Sequence, residues 1–297
     1  MNVETALPSS RVWPACPICF DRHVSLIASV DERNMNLCAG CRHVFWEERA
    51  GAEEVASYYR KRYGGEHDQL SQQLANKAYS ERHVDELVTL SNVGKDCAFF
   101  VDYGSSYPTF ALTARERGVR RSVAVDWDEQ ARAYGAERGL TCLSPDSFER
   151  EVADGEVDLL RFSHVIEHMI DPVQTLRSIV SKLKQDGFVY ITQPNFPIFS
   201  TAARGVAIKG AVWPEHLHFF SPLSLMMLCE RLGLKPVRFF SHTAADETRR
   251  DLERFIDLDC SRSALKWLDK LGDRALGEAG NWPWFAGTNS VLLARKA

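Results

Sequence analysis

The chain has 297 residues, of which 45% are hydrophobic, and its formal net charge is -4. That length and composition are typical of a globular chain with one large core and an appended module. The sequence shows no basic excess that would favour nucleic acid as the main partner, and no apolar stretch of membrane-spanning length. Residues 1–11 lack the pattern of a secretion signal, so we expect a cytoplasmic protein.

Two C-x-x-C motifs open the chain, separated by about eighteen residues, and this spacing predicts a tetrathiolate zinc ribbon over residues 1–50. Four thiolates leave no open position for substrate, so the ion should be structural; iron in a rubredoxin-like site stays open. The alternative is four unrelated cysteines. The expected ligands are Cys16, Cys19, Cys38 and Cys41, and the remaining cysteines should be small buried apolar residues: Cys97, Cys142, Cys229 and Cys260.

Residues 51–95 are expected to form a helical cap or linker, interrupted at Gly64-Gly65. Residues 70–90 carry apolar side chains at helical spacing. Tyr63 and Tyr79 either face a site or pack with their hydroxyls at the edge of water, as such tyrosines more often do.

The segment 96–126 has the pattern of a strand, a tight turn, a helix and a second strand. The first strand is predicted over residues 96–101, where the apolar run Phe99-Phe100-Val101 precedes Asp102 and a turn that contains Gly104. A second apolar run ends on Asp126. A glycine turn before a helix lets backbone amides approach a ligand. An acidic residue about twenty positions later is where nucleoside-binding α/β units place the carboxylate that accepts ribose hydroxyls.

A third strand is predicted over residues 140–143, followed by Ser144 and Asp146. Two interpretations of Asp146 stay open at this point. Either it contacts a ligand at the corner after the strand, or it only caps a helix over residues 147–152.

A fourth strand is predicted over residues 156–162, and His164 and Glu167-His168 follow it. A helix that runs to Lys184 and a fifth strand over residues 188–192 are predicted next. The letters H-x-x-E-H also match a zinc peptidase motif, but that motif needs a long helix, whereas this one follows a strand. His164 is expected to anchor the end of the strand, and His168, one turn later, to face the site.

The connection 193–220 is long and rich in Pro, Phe and Gly, which is typical of a lid or substrate loop. It contains Glu215, His216 and His218; one of the histidines alternatively anchors the loop, and Ser221 caps a helix over residues 222–232. A sixth strand over residues 235–241, a helical insertion over 244–278 and a last strand over 289–295 complete the chain.

These segments together resemble the class I S-adenosylmethionine-dependent methyltransferases. Asp102 and Gly104 match the first motif of that family, while Ser106 and Pro108 stand where it has glycines. The run from His164 through Glu167-His168 to Asp186-Gly187, and the later Glu215-His216 string, resemble the small-molecule and sugar methyltransferase branch.

The resemblance implies an α/β fold, with a Rossmann-like seven-stranded methyltransferase core over residues 96–297 and a helical insertion near 244–280. In the family the last strand returns antiparallel beside the sixth. It also implies S-adenosylmethionine as cofactor, bound by Asp102, Gly104, Ser106, Asp126 and Asp146, with Asp146 meeting the adenine amino group. The residues that it implies for proton transfer are His168, Glu215 and His216.

Two functions from different classes follow. In the first, the protein methylates oxygen or carbon of a small polar acceptor, such as a sugar or sugar nucleotide, with a histidine removing the proton. In the second, Ser106 and Pro108 mark a core that has lost cofactor binding, and the chain is a scaffold whose zinc module contacts a protein partner.

Overall fold

The computed structural model describes residues 11–63, 81, 84, 97–194, 211–242, 256–257 and 289–296. Its first part contains β1 (Val24–Val30), β2 (Arg33–Cys38), β3 (Val44–Trp46) and α1 (Ala52–Tyr63). Strands and helices then alternate: β4 (Phe99–Tyr103), α2 (Thr109–Glu116), β5 (Arg121–Val125), α3 (Glu129–Glu137), β6 (Thr141–Leu143), α4 (Pro145–Glu151), β7 (Val157–Ser163), α5 (Pro172–Ser181), β8 (Leu183–Pro194), β9 (His218–Phe219), α6 (Pro222–Arg231), β10 (Leu234–His242), β11 (Ile256–Asp257) and β12 (Asn289–Lys296).

The large sheet has the strand order β11-β10-β12-β8-β7-β4-β5-β6. Strands β4 to β8 pair in parallel, whereas β12 runs antiparallel between β8 and β10. The predicted seven-stranded α/β core is therefore confirmed, including the returning last strand. An eighth strand, the two-residue β11, lies inside the segment expected to be a helical insertion; the rest of that insertion falls outside the described residues.

Four helices of the described core begin at a short polar side chain that accepts a backbone N–H, namely Asp128, Ser144, Asp171 and Ser221. Ser221 and Ser224 form a reciprocal capping box at the start of α6, which confirms the role expected for Ser221. The alternative that Asp146 caps a helix is wrong, because α4 begins earlier and Ser144 accepts the hydrogen bond from the Ser147 amide. Asp146 lies in the first turn of α4 and is exposed to solvent.

The helix expected to reach Lys184 ends at Ser181, and the following strand begins at Leu183 rather than at Phe188. The reason is tertiary: Leu183 pairs with Val157 of β7 and is fully buried. Burial of this side chain and its pairing with β7 outweigh the helical spacing of the preceding residues.

The cysteine-containing strands join the core through a second sheet of order β1-β2-β3-β9. Val44 of β3 pairs with Phe219 of β9. Ser221 donates a hydrogen bond to the carbonyl of Cys41 at 3.2 Å, and Arg231 donates one to the carbonyl of Cys19 at 2.7 Å. The two parts of the chain also share one buried apolar cluster, which includes Ile18, Phe45, Phe220 and Leu225.

The cysteines outside the two motifs pack as small apolar residues where the structure describes them. Cys97 and Cys229 are buried, and Cys142 is partly buried. Burial raises the pKa of the Cys229 thiol to about 12, so this thiol stays protonated. Cys260 lies outside the described residues. Of the described helices, none is long and apolar enough to cross a membrane.

A buried ion pair lies inside the sheet, between β4 and β7. Arg161 donates to the carboxylate of Asp102 at 2.8 Å, and the two side chains are only 10% and 2% exposed. The guanidinium also stacks on the Phe110 ring at 3.8 Å. An arginine inside the apolar run of β7 is tolerated because its charge is matched by the carboxylate on the adjacent strand.

Replacing Arg161 with Met should destabilise the protein by about 3–5 kcal/mol, because the Asp102 charge would remain buried without its partner. Arg121 offers a matched control, since it also stacks on a phenylalanine, at 3.8 Å, and pairs with a carboxylate, but its side chain is 49% exposed. Arg121→Met should cost about 1 kcal/mol or less. Urea unfolding followed by circular dichroism measures both, and equal losses would contradict the expectation.

Candidate functional site

The carboxyl ends of β4, β5 and β7 open onto one cavity of about 600 Å³. It lies where the strand order changes direction: on one side of β4 the sheet continues with β5 and β6, and on the other side with β7 and β8. Open α/β sheets bind ligands at this position. Helix α1, the turn after β7 and the segment before β9 complete its walls. The lining residues are Ala52, Val55, Ala56, Tyr59, Tyr103, Gly104, Ser106, Asp126, Trp127, Asp128, His164, Val165, His168, Met169, Ile170, Thr175, Glu215 and His216.

The turn after β4 forms the floor of the cavity. The amides of Gly104 and Ser105 both donate to the carbonyl of Val125, at 2.7 and 3.1 Å. Gly104 has a φ of +73°, and a side chain there would collide with Cγ2 of Val165. Ser106, which takes the place of a family glycine, is also left-handed, with a φ of 48°.

Asp126 connects this turn to the one after β5. Its Oδ2 accepts the Ser106 amide at 2.6 Å, and its Oδ1 accepts the Asp128 amide at 2.9 Å. Burial raises the pKa of Asp126, and the two backbone hydrogen bonds oppose that rise. The carboxylate therefore both fixes the shape of the floor and faces the cavity.

Pro108 does not fill this space. It stands at the N-cap of α2, and its Cγ and the Cys142 sulfur flank Gly135, so close that a side chain at Gly135 would collide with both. The ring is directed toward α3, and Pro108 is absent from the residues that line the described cavity. Proline is well tolerated at the start of a helix.

Two of the five residues predicted to bind the cofactor do not line the cavity. Asp102 is held beneath the floor by Arg161, and Asp146 lies on the outer side of α4. Burial first, then the charges of Glu149, Asp146 and Asp126, raise the pKa of the cavity residue Tyr103. The predicted contacts of Asp102 and Asp146 with a cofactor stay predictions.

The three residues predicted to handle the proton also line the cavity, and they lie together in its wall. His168 Nδ1 donates to the carbonyl oxygen of Glu215 at 2.6 Å, and the ring centroids of His168 and His216 are 4.9 Å apart. The Glu215 carboxylate accepts the Tyr58 hydroxyl at 2.6 Å, and Arg62 Nε lies 3.6 Å away. A carbonyl can only accept, so the proton of a neutral His168 is on Nδ1 and its Nε2 carries a lone pair.

The segment that carries Glu215 and His216 is held from both sides. The indole of Trp46, in β3, donates to the His216 carbonyl at 2.7 Å, and the Leu217 amide donates to the carbonyl of Glu167 at 2.8 Å. The histidine that anchors this loop is His218, whose ring contacts His43 at 3.1 Å in the buried interior. Burial lowers the pKa of His218 to about 4, so this ring is neutral.

The positions of the His164 and Glu167 side chains differ from what the H-x-x-E-H motif suggested. The His164 amide bonds to the Thr192 carbonyl at 2.8 Å, which is the predicted strand anchor, but its ring is half-exposed in the cavity wall. Glu167 is 2% exposed, with His164 Nδ1 at 3.5 Å and His168 Nε2 at 4.0 Å. Burial alone would raise the pKa of Glu167, but the two histidines outweigh it and hold this pKa below its ordinary value.

Sequence reasoning missed the aromatic wall of the cavity. Tyr59 and Trp127 meet edge to face, with centroids 5.6 Å apart, and Trp127 is 49% exposed. A tryptophan directly after Asp126, at the predicted carboxyl end of a strand, was the available signal, because ligand sites are commonly lined by aromatic side chains. Tyr79 lies outside the described residues, and so does the side chain of Tyr63.

The four predicted metal ligands also come together. The sulfurs of Cys16 and Cys41 are 3.5 Å apart, those of Cys19 and Cys38 are 3.4 Å apart, and all four lie within 4.8 Å of one another. Four sulfurs bound to one tetrahedral zinc ion lie about 3.8 Å apart. The cluster is therefore compatible with zinc.

The chain is similar to a family of known proteins and to several solved structures. A family model described as a methyltransferase domain matches residues 72–238, more than half of the chain. No curated protein matches. Solved structures that resemble this chain include an S-adenosylmethionine-dependent methyltransferase from Archaeoglobus fulgidus, at 18% identity over 81% of this chain and 99% of that one, with a TM-score of 0.48.

The cyclase SpnF is 16% identical over 73% of this chain and 81% of that one, with a TM-score of 0.49. A methyltransferase from Mesorhizobium loti is 17% identical over 66% and 90%, with a TM-score of 0.44. The family match covers the strands and turns that build the cavity floor. The chain belongs to the methyltransferase-domain family and has the α/β fold of class I S-adenosylmethionine-dependent methyltransferases.

Proposed function

We propose that this protein transfers a methyl group from S-adenosylmethionine to a small polar acceptor, such as a sugar or sugar nucleotide, at oxygen or carbon. The observation that supports this proposal is that one cavity is lined by two groups of residues, one suited to the cofactor and one suited to the acceptor. Gly104, Ser106 and Asp126 form one part of its wall, here called the first end, while His168 and the Glu215-His216 pair form another part, here called the second end. A cavity of about 600 Å³ is within the range that cofactor and ligand sites occupy.

The residues of the first end suit an adenosyl group. Gly104 keeps the backbone of the turn open to the cavity, and the Asp126 carboxylate has lone pairs left for ribose hydroxyls after accepting two amides. Trp127 offers an exposed aromatic face beside that carboxylate. When bound, S-adenosylmethionine supplies an electrophilic methyl group that needs no covalent help from the protein.

The second end would position the acceptor and take its proton. His168 Nε2 carries a lone pair because Nδ1 donates to Glu215, and the His216 ring lies beside it. The Glu215 carboxylate is held by the Tyr58 hydroxyl. An imidazole lone pair within reach of the acceptor is the group that general base catalysis requires.

The alternative, a scaffold that has lost the cofactor, depended on Ser106 and Pro108. The Pro108 ring packs toward Gly135 and the cavity is open, which favours the enzyme. We further propose that the four-cysteine cluster holds a structural zinc ion, that its module is a candidate surface for a protein partner, and that the protein is cytoplasmic. The free state of all described cysteines fits a reducing compartment.

Asp126→Ala should abolish binding of S-adenosylhomocysteine, raising Kd at least about 100-fold, because it removes the ribose acceptor and releases the Ser106 turn. Glu156→Ala is the control: it removes the same charge just before β7, at the opposite edge of the sheet. Isothermal titration calorimetry measures both. If wild-type protein produces no detectable heat, the scaffold function is favoured instead.

Gly104→Ala should weaken the same binding at least about tenfold, because the new methyl group meets Val165 and displaces the turn. Gly118 is a matched control, since its φ is also positive, at +96°, but its surroundings are open. Both variants carry the cost of a left-handed alanine, about 1–2 kcal/mol of stability. Only Gly104→Ala should lose affinity in calorimetry, and equal affinities would remove the turn from the proposed cofactor site.

His216→Ala should lower kcat by about 100-fold or more, the usual contribution of a positioned base, and change S-adenosylhomocysteine affinity by less than about threefold. Transfer of a radiolabelled methyl group to sugars and sugar nucleotides identifies an acceptor and then measures kcat. His23→Ala, an exposed histidine of the cysteine module, is the control. Unchanged turnover in His216→Ala would exclude His216 from the proton-transfer step.

A further inference from the structure

Three side chains at the histidine end of the cavity are arranged as metal ligands. One carboxylate oxygen of Glu167 and one ring nitrogen each of His168 and His216 lie within 4.8 Å of one another. We propose that these three residues bind a divalent transition-metal ion, separate from the four-cysteine cluster. The inference rests on the proposed function only where it concerns the acceptor; ion binding itself does not depend on it.

Glu167 is the observation that points to an ion. Its side chain is 2% exposed, and among the described residues neither carboxylate oxygen has a hydrogen-bond partner. Removing a carboxylate from water without hydrogen bonds is costly, and buried charges in proteins are paired or coordinate metals. The nearest nitrogens, on His164 and His168, are 3.5 and 4.0 Å away, which is too long to replace those bonds.

His168 has the orientation of a metal ligand. Its Nδ1 donates to the Glu215 carbonyl at 2.6 Å, so Nε2, the nitrogen nearer to Glu167, carries the lone pair. Histidines that ligate metals almost always donate their other ring N–H to a carbonyl or carboxylate. The hydrogen bond that fixes the tautomer of His168 is therefore already in place.

His216 is brought to the same point by its backbone. Its carbonyl accepts the Trp46 indole at 2.7 Å, and its amide donates to the Val212 carbonyl at 2.9 Å. Two ligand atoms bound to one tetrahedral ion at about 2.1 Å lie about 3.4 Å apart, so the 4.0 Å between Glu167 and His168 must shorten by about 0.6 Å. We expect a small rotation of these side chains to close this gap.

The ligand set indicates the class of ion and of acceptor. Two imidazoles and one carboxylate favour zinc, iron(II), cobalt or manganese over calcium and magnesium, which prefer oxygen ligands. Three protein ligands leave coordination positions open toward the cavity. An acceptor hydroxyl bound there loses its proton more easily, and with both histidines on the ion the Glu215 carboxylate remains to accept that proton.

The test uses the full chain with one zinc ion in its cysteine cluster, confirmed by elemental mass spectrometry. Co²⁺ is then titrated and followed by visible absorption. We expect one further equivalent, with ligand-field bands but without thiolate-to-cobalt charge-transfer bands, because its ligands contain no sulfur. Glu167→Gln, which keeps the shape and removes the charge, and His216→Gln should each weaken Co²⁺ binding at least about tenfold.

His23→Gln, which changes an exposed histidine of the cysteine module, should bind Co²⁺ like the wild type. S-adenosylhomocysteine binding, measured on every variant, shows that the fold is intact. The inference is overturned if zinc-loaded wild type takes up no further Co²⁺, if the bound Co²⁺ shows thiolate bands, or if Glu167→Gln and His216→Gln bind it unchanged. Retained Co²⁺ binding with no S-adenosylhomocysteine binding would overturn the proposed function instead.

Discussion

The antiparallel pairing of β3 with β9 is the contact on which the arrangement of the molecule depends. It joins the cysteine strands to the methyltransferase core and places Trp46 against the His216 backbone. The backbone of the segment that carries Glu215 and His216 is also bonded to Val212 and Glu167. Strand β3, which follows the second cysteine motif in the sequence, thus helps to position residues that face the cavity.

The two ends of the cavity are built by different means. Backbone makes the first end: a glycine turn tied to β5, with one carboxylate fixing its shape through two amides. Side chains make the second end, and their orientation comes from hydrogen bonds to backbone carbonyls. Such a division suits a methyltransferase, because a common cofactor can be held by main chain while the acceptor is selected by side chains that vary.

Two carboxylates are buried near the carboxyl ends of β4 and β7, and they differ in their partners. Asp102 is matched by Arg161 on the adjacent strand, so its charge is satisfied by the protein itself. Glu167 lies in the turn after β7, with two histidines near it, and no described residue forms a hydrogen bond with either of its carboxylate oxygens. The first carboxylate stabilises the fold, whereas the second is the centre of the metal site proposed above.

The sequence by itself determined the sheet, because unbroken apolar runs such as that of β4 can be buried only between other strands and helices. It also determined the cysteine cluster, through spacing, and the position of Asp126 at the end of β5. Local patterns failed where a partner distant in the chain decides the structure. The end of α5 depends on the pairing of Leu183 with Val157. The helical spacing of apolar residues within α5 carries no information about that pairing.

Only the tertiary structure brought His168, Glu215 and His216 to one place, since about fifty residues separate the first from the others and a loop position has no periodicity. The same holds for Tyr59 beside Trp127 and for the pairing of β3 with β9, since about 175 residues separate these two strands in the sequence. Sequence patterns report which face of a segment is buried; which segments meet is decided by packing of the whole chain.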